Sequence, residues 1–253
     1  AGDKVYWNQK DKSVILAVIG KEPVHEGIKI VGSHIDSPRL DLKANPVHEQ
    51  DGIVYFRTHY YGGIKKYQWT CIPLALIGVV FTKDGKKVDI NIGLKDSDPV
   101  FYVSDLLIHM AQDQMKKTLA EGITGEQLQA VAGTHSEEGQ TPKDAIMTLL
   151  KKEYGIEEED FAAAELELFP ATKSRDVGFD RSLIASYGQD DRVCSFANLE
   201  AILDAKPGVK TQAALLTDKE EIGSYGNTGM ESSYFVKFVM KLLALCLLYT
   251  SDA

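Results

Sequence analysis

Three runs in this chain are apolar at almost every position: SVILAVIG at Ser13–Gly20, IKIVGSHID at Ile28–Asp36 and TQAALLT at Thr211–Thr217. A strand with one wet face alternates apolar and polar residues, whereas a strand covered on both faces reads as a short continuous apolar run. The runs therefore ask for a sheet buried on both faces. Helical stretches near the last run fit that need. RVCSFANLEAILDA is a helix ending near Lys206, where Pro207-Gly208 stops it, and a further helix is expected from Ser232 onward.

The middle of the chain has a different texture. VYFRTHYY, CIPLALIGVVFT and KKVDINIGL are β-rich, and KDGKK at Lys83–Lys87 reads as a hairpin turn. A helix is expected over Asp105–Glu121, with Leu106, His109, Met110 and Asp113 at helical spacing. A second is expected over Thr141–Tyr154, with Thr141 as N-cap and Pro142 at the first helical position. ELELFPA at Glu165–Ala171 alternates like a strand. The expected organisation is a discontinuous α/β domain, residues 1–45 and 175–253, interrupted by an inserted β-rich domain over 46–174.

Charge and cysteine usage narrow the function classes. Lys and Arg total 28 against 37 Asp and Glu, a net charge of -9. Nucleic acids and anionic membranes need clustered Lys and Arg, so neither is an expected partner. The three cysteines, Cys71, Cys194 and Cys246, are widely spaced and form neither a disulfide framework nor a CxxC zinc site. A reducing, cytoplasmic location is expected. The opening AGDKVYWNQKDK has charge and no apolar stretch, so it does not read as a secretory signal. Tyr234–Tyr249 is apolar but is interrupted by Lys237 and Lys241, and the uncharged run after Lys241 has eight residues. A bilayer span needs about 20. The chain enters a strand almost at once, and its end, LCLLYTSDA, follows a helix with no cap or loop. Both ends read as truncated, and Cys246–Ala253 as a foreign tail.

Three small constellations fall at strand or helix ends in the α/β portion, where open α/β sheets place ligands. In GSHIDSP, His34 and Asp36 are two apart and share one face of extended backbone. A metal-bound imidazole needs its other nitrogen held, so the pair could supply a ligand and its orienter; taken alone, a surface His beside a turn Asp is the simpler reading. In QDDR, Asp190 and Asp191 precede a helix. One carboxylate there can bridge two metals, and simple N-capping also accounts for the pair. In DKEEIGS, Glu220 and Glu221 follow the apolar strand directly. On extended backbone they point to opposite sides, one free to bind metal and the other to act as general base; a solvated acidic turn is the alternative. Together these are the donors of a zinc-type site.

GSHIDSPRLDLK, YYGGIKKYQW, QDDRVCSFANLEAI and DKEEIGSYGNTGME, in that order, resemble the aspartyl aminopeptidase / aminopeptidase I family of di-zinc metallopeptidases. The resemblance covers nearly the whole chain apart from the tail. It implies an α/β, three-layer zinc-peptidase catalytic domain interrupted by an inserted β-rich dimerisation domain. It also implies two zinc ions per site, and hydrolysis of the N-terminal residue, Asp or Glu among the candidates, from peptide substrates. His34 matches a zinc ligand and Asp36 its orienting partner. Asp190 matches the bridging carboxylate, with a cis peptide before Asp191. Glu220 matches the general base and Glu221 a zinc ligand. His109 matches a histidine that reaches a neighbouring subunit's site; its residues alone read as a helix-face histidine. The resemblance further implies a homo-oligomer in which dimers build a dodecamer. Two ligands of the family pattern, an Asp in a Ser-x-Asp motif and a late His, have no counterpart here. A related di-metal hydrolase and a non-catalytic truncated homologue serving as an oligomer-assembly module are the competing functions.

Overall fold

A computed structural model describes residues 1–248, with side chains through residue 245. Residues 249–253, Asp252 among them, lie outside the described residues, and so does most of the tail read as foreign. No helix among the described residues is long and apolar enough to cross a membrane. The chain has mixed α/β content and divides into two compact units, one of residues 1–37 with 188–253 and one of 38–187.

The first unit begins with β1 (Lys4–Gln9), β2 (Ser13–Val18) and β3 (Ile28–His34). The second unit carries β4 (Arg39–Gln50), β5 (Ile53–Tyr61), β6 (Pro73–Phe81), β7 (Lys87–Ile92) and the short β8 (Phe101–Tyr102). It continues with α1 (Leu119–Gly122), β9 (Ala130–Gly133), α2 (Pro142–Tyr154), β10 (Ala164–Pro170), β11 (Arg175–Val177) and β12 (Leu183–Ala185). The chain then returns to the first unit with α3 (Gln189–Asp204), β13 (Thr211–Thr217) and α4 (Tyr234–Leu248).

In the first unit the strand order is β1-β2-β13-β3. β2 pairs antiparallel with β1 and β13, whereas β13 pairs parallel with β3, setting Thr211 beside Ile28 and Thr217 beside His34. Alternate residues of the apolar runs serve opposite faces. Ile15, Ala17, Ala213 and Leu215 pack with Tyr234, Phe238 and Leu242 of α4, and Val18 and Ala214 pack with Ile202 of α3. This is why β2 and β13 lack the polar alternation of a half-wet strand. β3 departs from that expectation: it is an edge strand, and Ile30 and Val31 are exposed.

In the second unit β10 pairs with both β4 and β6, which closes the sheet upon itself. The closed ring runs β10-β4-β5-β9-β8-β6, with β7 added outside it along β6, and it encloses a core. Leu40, Val54, Leu74, Leu128 and Leu168 fill it and are fully buried, each worth about 1.5–3 kcal/mol of apolar transfer. Helix α2 starts as its cap predicts: Thr141 Oγ1 accepts the Asp144 N–H at 3.1 Å, and Asp144 Oδ2 accepts the Thr141 N–H at 3.3 Å.

The helix expected over Asp105–Glu121 does not form. That segment consists of turns, a 3-10 turn at Gln114–Lys116 and the four-residue α1. Its apolar residues Leu106, Leu107, Ile108 and Met110 are all exposed. A helix draws most of its stability from docking an apolar face, and only Ala111 of this stretch is buried. Asp105 also turns back to accept its neighbour Leu106's N–H at 2.7 Å, a local bond that competes with helix. His109 therefore lies in an exposed turn of the second unit, not on a helix.

Candidate metal centre

Parallel pairing delivers the site residues to one edge of the first unit's sheet. Because His34 ends β3 beside Thr217, which ends β13, the segments that follow both strands emerge together. The Ile35 N–H donates to the Thr217 carbonyl at 2.9 Å and extends this pairing by one step. After β13 the chain turns sharply. Lys219 is left-handed at φ 70, Glu220–Ile222 form one 3-10 turn, and Gly223 leaves it at φ 84. Glu220 and Glu221 thus sit on a turn and not on opposite sides of an extended strand. Side chains there diverge by about 120°.

Asp36 holds this turn. Its side chain is only 1% exposed. Its Oδ1 accepts the Glu220 N–H at 3.1 Å and its Oδ2 accepts the Glu221 N–H at 3.2 Å. The Asp36 carbonyl accepts from His34 Nδ1 at 3.0 Å, and Oδ1 lies 3.5 Å from the same nitrogen. One residue therefore fastens the histidine and the acidic turn together. A carbonyl only accepts, so Nδ1 carries the hydrogen and Nε2 is left for other partners. His34 Nε2 faces Asp190 Oδ2 at 3.5 Å.

The donor atoms of His34, Asp190 and Glu221 lie within 4.8 Å of one another. Zinc held at about 2.0–2.2 Å by tetrahedral ligands sets donor separations near 3.4 Å. The His34–Asp190 distance meets that value, and one imidazole with two carboxylates is a donor set zinc accepts. The same charges act on the imidazole. Burial lowers the pKa of His34, but the Asp36 carbonyl and the carboxylates of Asp36, Glu220 and Asp190 outweigh it, and the net shift is upward from 6.5.

Helix α3 supplies the aspartates. The N-cap position is Gly188, left-handed at φ 72, and no side chain caps the helix there. Neither aspartate is needed as a cap. Asp190 projects outward, whereas Asp191 turns inward at 4% exposure and accepts from Ser37 Oγ at 2.6 Å. The other Asp191 oxygen has no partner among the described residues. The Asp190–Asp191 peptide is not cis; both residues stand in the regular first turn of the helix.

Two supporting residues were not singled out in the sequence. Ser195 Oγ donates to the His34 carbonyl at 2.6 Å, and Asn198 Nδ2 donates to the Val31 carbonyl at 3.2 Å and the Leu215 carbonyl at 3.4 Å. Their signal was spacing. Asp191, Ser195, Asn198 and Ile202 form an i, i+4, i+7, i+11 stripe, so the buried face of α3 is largely polar. Val193 and Phe196 are left exposed in consequence.

Comparison with known proteins gives this geometry a context. The profile of the aminopeptidase I zinc metalloprotease (M18) family matches residues 1–250. A probable M18 family aminopeptidase 1 of Clostridium acetobutylicum is 51% identical over 249 residues, covering 97% of this chain and 54% of its own length. The chain thus spans about half the length of the curated relatives it matches. The crystal structure of an M18 aminopeptidase from Thermotoga maritima superposes with a TM-score of 0.92 at 43% identity, over 97% of this chain and 55% of that one. A dodecamer structure from S. cerevisiae superposes at 0.70 with 20% identity, over 97% and 56%, a likeness of fold alone. On these matches the chain belongs to the aminopeptidase I zinc metalloprotease (M18) family.

Proposed function

We propose that this chain is part of a di-zinc aminopeptidase that removes the N-terminal residue from peptides, with Asp and Glu the first candidates for that residue. The observation that carries the reading is the convergence of His34, Asp190 and Glu221 donor atoms within 4.8 Å. These three residues would hold zinc, with Asp190 bridging a pair of ions. Bound zinc supplies Lewis-acid polarisation of the scissile carbonyl and of the attacking water.

The remaining steps belong to side chains. Asp36 orients His34 through the Nδ1 bond, which leaves Nε2 as the ligand atom. Glu220 stands on the same turn as Glu221, is exposed and contributes to the negative field at His34. It takes the proton from the attacking water and delivers it to the leaving amine. The Asp36 grip on the Glu220 N–H keeps base and ligands in one frame.

The catalytic domain in this reading is residues 1–45 and 175–253 in three layers, with 46–174 an inserted dimerisation domain. A homo-oligomer built from dimers belongs to the same reading; a yeast neighbour of like fold is a dodecamer. His109, exposed in the second unit, would then reach a neighbouring subunit's site. A cytoplasmic location accords with two exposed free cysteines, Cys71 and Cys194.

Glu220→Gln tests the central assignment. The full-length protein carrying it is expected to keep its zinc and to lose turnover of amino-acid p-nitroanilides by about 10²–10⁴-fold. Turnover within a few-fold of the parent would remove Glu220 from the role of base.

A further inference from the structure

Beneath the acidic turn lies a second, buried set of polar groups that the chemistry above does not use. Asp218, the first residue after β13, is 6% exposed, and Ser13 and Thr228 are 3% exposed each. The three close a ring. The Asp218 N–H donates to Ser13 Oγ at 2.9 Å, Ser13 Oγ donates to the Thr228 carbonyl at 2.7 Å, and Thr228 Oγ1 donates to Asp218 Oδ2. Lys219 Nζ lies 3.8 Å from the same Oδ2.

A buried carboxylate is costly unless its partners are well placed. A neutral residue would end the strand with less desolvation, so the charge at Asp218 calls for a role. Its position names one. Asp218 immediately precedes the left-handed Lys219 and the Glu220–Ile222 turn, and Thr228 lies on the return of the same loop. That loop is tightly folded. The Ser224 N–H donates to the Lys219 carbonyl at 2.7 Å and the Glu231 N–H to the Ser224 carbonyl at 3.3 Å. A Cβ at Gly229 would come within 2.1 Å of the Ser224 carbonyl oxygen, so only glycine permits this approach.

We propose that Asp218 is a positioning residue: through Thr228 and Ser13 it anchors the base of the loop and so sets where Glu220 and Glu221 stand relative to His34. Asp36 grips the turn from the β3 side through two N–H bonds, and the Asp218 ring grips it from the β2 side. The second grip restrains the turn against pivoting about Asp36, a motion that would move Glu221 away from the zinc donor set. The inference rests on the metal-site reading above and extends it to residues that touch neither metal nor substrate.

The test is Thr228→Val in the full chain, with Thr228→Ser as the conservative partner. Three quantities are read: zinc affinity by chelator competition, amide hydrogen exchange at Glu220 and Glu221 in zinc-free protein, and kcat and KM separately. Thr228→Val is expected to weaken zinc about 10–100-fold, as loss of an outer partner of a metal site does. It should speed exchange at both amides and lower kcat at least tenfold with KM within twofold. Thr228→Ser should restore all three. A folded Thr228→Val protein with affinity, exchange and kcat within twofold of the parent overturns the proposal, as does failure of Thr228→Ser to restore them. Should Thr228→Val not fold, Ser13→Ala breaks the neighbouring link and is read in the same way. A parent that binds zinc but cleaves no peptide refutes the aminopeptidase reading, while affinity and exchange still decide the role of Asp218.

Discussion

His34 shows most plainly how the site's chemistry follows from its neighbours. Its Nδ1 is committed to the Asp36 carbonyl and its Nε2 faces Asp190, with Glu220 adding to the negative field. That environment favours the imidazolium and raises the pKa from 6.5. The sign follows directly. Without metal, the protonated form's contribution to stability is complete below pH 6.5 and is lost as the pH rises through the raised value. Zinc needs the neutral imidazole, so protons and metal compete for Nε2. Apparent zinc affinity should therefore fall by up to about tenfold per pH unit once the pH drops below the His34 pKa. Zinc titrations of chelator-stripped protein at pH 8, 7 and 6 check this. A constant affinity across the series would mean that His34 is not a ligand.

At the scale of elements, the segment between β8 and α1 carries the clearest consequence. Leu107, Ile108 and Met110 are between 63% and 71% exposed, and clustered exposed apolar side chains mark contact surfaces. The proposed oligomer is expected to cover them with a second copy. Ile108→Asp combined with Met110→Asp should then lower the assembly's sedimenting mass while leaving the closed sheet folded. A mass unchanged from the parent's would place the subunit contact elsewhere.

The same segment marks the limit of what the sequence disclosed. Its helical spacing was real, but spacing does not say whether a docking surface exists, and Leu106, Leu107, Ile108 and Met110 find none among the described residues. Where packing and local signals agreed, the sequence was a reliable guide. The apolar β2 and β13 runs became two-face-covered strands, and Thr141-Pro142 opened α2. Residues 39–45 of the twelve-residue β4 do alternate polar and apolar, but Pro46 interrupts the run and hides the strand's full length. Its pairing with β5 shifts register between Leu42 and Val47 at that point.

For the whole molecule, the site's legibility came from order along the chain, and its geometry did not. Residues as distant as His34, Asp190 and Glu221 could be nominated from motifs. Their meeting depends on the parallel pairing of β3 with β13 and on the seating of α3 against both strands through Ser195 and Asn198, which no local pattern announces. Nor could the sequence tell that Asp36 spends both carboxylate oxygens on backbone N–H groups of the Glu220–Glu221 turn. The compact units divide at Ser37–Pro38 and Tyr187–Gly188, so every residue of the proposed metal centre falls in one unit. Anomalous diffraction at the zinc edge, from crystals of the zinc-loaded full-length protein, locates the metal directly. On the di-zinc reading, two zinc peaks are expected, with Asp190 between them and with His34 Nε2 and a Glu221 carboxylate oxygen among the ligands at about 2.0–2.2 Å. Zinc bound elsewhere, with no density among these three residues, would contradict it.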